Sequence, residues 1–168
     1  METGVALKSI SHEAIPRAVQ KAERYRLLNQ SWATESICLD ILEIEPGHQQ
    51  VLVMLLLSLT DQFGAQPREL ALRARAVLER LTDPYQKFYY SGIIDERLGH
   101  AQLAQGAMHA EAMAHESLRS AMISFEKAEA LRQPGNDDAI LRWNTCARAL
   151  EHLRVREEAD GYEPAFGE

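Results

Sequence analysis

The chain has 168 residues, enough to bury a core without disulfides or a structural metal. A hydrophobic fraction of 46% and a charged fraction of 26% fit an ordinary globular domain and exclude wholesale disorder or a fibrous protein. With 25 acidic against 18 basic residues, the net charge of −7 works against phosphate backbones, so nucleic acid is not an expected partner.

Met1 to Ser11 carries one lysine and no long apolar run, and it resembles neither a secretory signal nor a transit peptide. Ile15, Ala18, Val19, Ala22, Tyr25 and Leu28 then recur at steps of three and four, which predicts an amphipathic first helix. Asn29, Gln30 and Ser31 interrupt that pattern. A second stripe, Ile37, Ile41 and Ile44, runs until Pro46 and Gly47 end it. The third helix is expected from about His48 to Phe63, apolar nearly all round and therefore central among its neighbours. Its apolar run, Val51 to Leu59, falls far short of the about 20 residues that cross a bilayer, so no membrane is expected. Gly64 ends it, and Pro67 opens a fourth helix striped by Leu70, Ala74, Val77, Leu78 and Leu81.

Asp83, Pro84 and Gln86 form a strong start for a fifth helix: a carboxylate cap, a proline where no amide is missed, and a capping-box glutamine. That helix is expected to pass Gly99 and end near Gln105, since one internal glycine costs only about 1 kcal/mol. The alanine- and methionine-rich stretch Gly106 to Ala114 has weak periodicity and reads as a loop. Leu118, Ala121, Met122, Phe125 and Ala128 define a sixth helix, stopped by Pro134 and Gly135. Asn136 caps a seventh carrying Ile140, Trp143, Ala147 and Leu150, with Trp143 expected to be mostly buried. One domain over 12–156 results, and the acidic segment 157–168 is assigned no structure. Cys38 and Cys146 sit in apolar helical patterns as free thiols, which points to a reducing cytoplasm.

These helices are self-similar. Ser120 to Ala139, SAMISFEKAEALRQPGNDDA, resembles the second helix of a tetratricopeptide repeat, with Ala121, Phe125 and Ala128 at the family's spacing and Pro134 closing it. Glu35 to Gln50, ESICLDILEIEPGHQQ, is similar, with Pro46 closing it and Ala22 and Tyr25 at the family's small and aromatic positions. Here Thr34, Cys38 and Ile41 replace the usual Ala, Phe and Ala. In a third unit Phe88, Gly92 and Gly99 match the large, small and turn-glycine positions, while Asp95 stands where an aromatic is usual. The resemblance covers roughly residues 15 to 150. It implies an all-α fold: a right-handed superhelix of about three antiparallel helix pairs plus a C-terminal capping helix, seven helices in all.

Such a stack has a concave groove that takes a partner's helix or extended peptide. The family's geometry, carried over, lines that groove with Arg26, Gln50, Met54, Tyr89, Ile93, Arg97 and Arg148, completed by the loop near Gly106. Tyr89 and the arginines lead, because aromatic and guanidinium groups dominate interface hot spots. Val19 and Glu23 occupy the positions where the carboxylate clamp of some family members would start, so that specificity is not expected. The implied function is a non-catalytic, cytoplasmic adaptor that binds a protein or peptide and needs no cofactor. A secretion-type chaperone is the alternative within binding proteins, and a homodimer is a further reading, since uncapped terminal repeats expose apolar surface.

A metal-dependent enzyme is the rival reading, built on His100, His109, Glu111 and His115. Against it, His109 and His115 are about 120° apart around a helix and no second close ligand pair is evident. No glycine-rich phosphate loop, paired-carboxylate motif or nucleophile elbow occurs. Neither catalytic residues nor metal ligands are therefore expected.

Overall fold

Caps and apolar stripes set the helix limits close to where the sequence places them. The structure, a computed structural model, describes residues 4–64 and 66–160, the side chains of 155 and 157–160 excepted. After a 3-10 turn at His12–Ala14 come α1 (Ile15–Leu27), α2 (Ser31–Ile44), α3 (Gln49–Thr60), α4 (Pro67–Leu78), α5 (Pro84–Gln105), α6 (Ala110–Leu131) and α7 (Asp138–Asp160). No strand occurs among the described residues, and no helix there is long and apolar enough to cross a membrane. Prolines open α4 and α5, where the missing amide costs nothing. Asp83 caps α5 by accepting the Gln86 amide at 3.1 Å.

Two expectations are corrected. The stretch before Ala114 is not a loop: α6 begins at Ala110, after a short turn in which Gly106 and His109 adopt left-handed φ of 59° and 64°. Ala110, Ala114 and Leu118 are buried at four-residue steps, so the alanines form a face that lets α6 lie close against α5. Helix α7 continues to Asp160, into the segment given no structure, while 161–168 lie outside the described residues. Trp143 packs against the α5–α7 core with most of its surface covered, as expected, and its Nε1 donates to Glu126 Oε1 at 3.0 Å.

Each helix packs on the next, and α1 also meets α3, and α3 meets α5. The core has two clusters. One joins α1 to α4 through Ala22, Cys38, Ile41, Leu52, Leu56 and Ala74, and takes Ile94 from α5. The other joins α5 to α7 through Ile93, Leu118, Phe125, Ala128 and Cys146. Leu57 and Tyr90 touch both, so α5 is the shared wall. Helices α5 and α6 have 22 residues each, against 12 each for α3 and α4, so the α5–α6 hairpin projects past α3 and α4.

At Gly92 the Phe125 ring of α6 packs directly against the backbone of α5. A Cβ there would lie 2.5 Å from Phe125 Cε1, whereas one at Gly99 would lie 3.2 Å from Leu118 Cγ. Gly92→Ala is expected to destabilise by about 1–3 kcal/mol through overpacking. Gly99→Ala is expected to stay within about 1 kcal/mol of wild type, because helix propensity offsets the squeeze. Urea midpoints decide it, and a Gly92→Ala protein as stable as wild type contradicts the packing described.

Both thiols are buried and pushed from 9.0 up to about 12, Cys38 by burial and then Glu35, Cys146 by burial and then Glu96. At pH 8 neither is expected to react with a thiol reagent until the chain unfolds. Because the unfolded thiols ionise first, the fold binds more protons and loses stability as pH rises across that window. Rapid labelling of native protein would refute this.

Candidate functional site

The helices α1, α3, α5 and α7 are joined by polar side chains that pass from one to the next. Between α3 and α1, Gln50 Nε2 donates to Glu23 Oε1 at 2.7 Å. At the C-terminal end of α3, Asp61 receives Arg26 Nε from α1 at 3.0 Å and Arg97 from α5. Arg97 Nη1 also donates to Thr60 Oγ1 at 2.6 Å and to the Leu57 carbonyl at 3.3 Å. Between α7 and α5, Arg142 Nη1 meets Glu96 Oε1 at 3.4 Å.

Burial sets the electrostatics of this row. Asp95 and Glu96 are 5% and 3% exposed, far inside for carboxylates, and each has a guanidinium partner. Asp95 pairs with Arg75 of α4 and accepts Ser120 Oγ of α6 at 2.9 Å. For Arg97, burial lowers the pKa, with Arg26 and Arg142 adding repulsion and Asp61 opposing it. For Arg142, burial pulls downward, but Glu96 and hydrogen bonds to Tyr89 and Glu96 outweigh it, so its pKa rises.

Not all of the residues expected to line a groove reach the surface. Gln50 and Arg148 are exposed; Arg26, Tyr89 and Arg97 are half-buried. Met54 and Ile93 are 7% and 1% exposed and belong to the two core clusters, so neither offers surface. Val19 of α1 and Glu96 of α5 are buried as well. The family's geometry, carried over, placed Met54 and Ile93 on a groove because it did not reveal how much of α3 and α5 is covered on all sides.

Two clefts were not foreseen. One, of about 440 Å³, lies at the start of α5, where Tyr85, Tyr89 and Tyr90 face Leu131, Asn136 and Asp138. Its signal was present in the run of tyrosines after Asp83. The other, also about 440 Å³, lies under the projecting hairpin, between Pro67, Arg68 and Glu69 of α4 and Leu98, Met108 and Met113. The α5–α6 turn therefore overhangs the start of α4. Further apolar surface lies at the α1–α2 end, where Leu27, Leu28 and Trp32 are exposed.

His100, His109 and His115 are all exposed, and Glu111 pairs with Arg156 at 3.3 Å. Among the described residues no three His, Cys, Asp or Glu side chains come together as a metal would require. No family model, curated protein or solved structure matches the chain.

Proposed function

We propose that the chain is a non-catalytic protein-binding module of tetratricopeptide-like helix pairs, winding as a right-handed superhelix. In this reading a partner's extended or helical segment lies across α1, α3, α5 and α7. The observation that carries it is the series of direct links α1 to α3, α3 to α5 and α5 to α7 through Gln50, Asp61 and Arg142. Alternate helices that touch in order form one continuous face, and repeated helix pairs present such a face to peptides. Gln50, Leu141, Thr145 and Arg148 are exposed, and in this reading they meet the partner there.

The test uses exposed positions, so that the fold is left intact. A partner captured from the source organism's lysate is expected to bind Gln50→Lys and Arg148→Glu variants about tenfold more weakly than wild type. Leu72→Ser, at a residue 70% exposed on α4, is expected to bind as wild type. Affinity unchanged in the first two variants, or lost equally in all three, removes the proposed face.

A further inference from the structure

The cleft at the start of α5 has aromatic walls and an acidic rim. Tyr85 and Tyr89, one turn apart, lie nearly parallel with ring centroids 5.8 Å apart. Tyr90 meets Tyr89 edge-on at 5.2 Å and 82°. Asp83, Asn136 and Asp138 complete the lining, and no basic side chain contributes to it.

Charge decides what such a cleft holds. The beginnings of α5 and α7 each contribute about half a positive charge, less than the full carboxylate charge that Asp83 and Asp138 place beside them. Among the described residues neither carboxylate is in an ion pair; Asp83 caps α5, and Asp138 lies in the first turn of α7. Two nearby arginines are held by other acids: Arg132 pairs with Glu129 and Asp137, and Arg142 with Glu96. The Tyr85 phenol responds to the same surroundings: burial raises its pKa first, and Asp138, Tyr89 and Asp83 add to this against the hydrogen bond with Asn136.

Aromatic faces attract a cation within about 6 Å of the ring centroid, and do so more strongly where water is partly excluded. We infer that this cleft binds the alkylammonium end of a partner's lysine, held over the tyrosine faces and balanced by Asp83 and Asp138. The inference rests on the protein-binding reading and names the chemistry of the partner: a basic segment, complementary to a chain of net charge −7.

The experiment follows the tyrosine ring resonances by NMR during titration with a glycine-flanked lysine peptide and with its norleucine counterpart. The lysine peptide is expected to shift the Tyr85, Tyr89 and Tyr90 signals saturably, and the norleucine peptide is not. Asp138→Asn and Tyr85→Leu are each expected to weaken the lysine peptide about tenfold, with unfolding midpoints kept near wild type. Equal binding of both peptides, or no saturable shift with lysine, overturns the inference. Choline is compared with its neutral isostere 3,3-dimethylbutanol, and saturation by choline alone overturns the assignment to a partner's lysine. Since the probes are defined peptides, failure here leaves the capture result untouched, and failure of capture leaves this titration standing.

Discussion

One turn of α5, Ile93 to Arg97, holds the two halves of the molecule together. A helix rotates about 100° per residue, so five successive side chains point in five directions. Here every direction is occupied. Ile93 enters the cluster of α6 and α7, and Ile94 that of α1 to α4. Asp95 reaches Arg75 and Ser120, Glu96 reaches Arg142, and Arg97 reaches the end of α3. Removing one partner of a buried ion pair costs about 3–5 kcal/mol, against about 5–15 kcal/mol for the whole stability of a typical domain. Any motion of one half against the other must break at least one of these pairs.

Charged groups in such a place are not explained by stability alone, since well-packed apolar residues of similar volume are often as stable. What they add is register. An apolar seam tolerates a slip of one turn, because another leucine or alanine arrives where the first one was. A carboxylate 3% exposed, with its guanidinium at hydrogen-bond range, tolerates no such slip. Arg97 fits the same account: two hydrogen bonds at the end of α3 and a shared carboxylate offset the burial that lowers its pKa.

Helix number, helix order and most boundaries were legible, because α1, α4 and α6 each bury one face and their apolar residues recur at helical steps. The Asp83 cap was legible for a local reason, since carboxylate, proline and helix start are adjacent in sequence. Two things were not. The start of α6 was hidden because its buried face is alanine, Ala110 and Ala114, whose small side chains give little contrast with the exposed ones between them. The covered turn of α5 was hidden because its hydrophilic letters suggested solvent. Asp95 and Glu96 read as surface until Arg75 and Arg142, 20 and 46 residues away, are brought to them.

That pairing also changes where a partner would gain its affinity. Arg26 and Arg97, two of the arginines expected to anchor a partner, are each already matched to an acid of the same chain, as is Arg142. An acidic partner would have to compete with Asp61 or Glu96, and exchanging one such pair for another returns little free energy. Among the described residues, Asp83 and Asp138 are in no ion pair, and they stand beside three tyrosines at the other end of α5. In the proposed reading, carboxylates outside any ion pair beside aromatic surface would let a partner bind without breaking an internal ion pair, so specificity is best sought at the beginning of α5 rather than along its arginines.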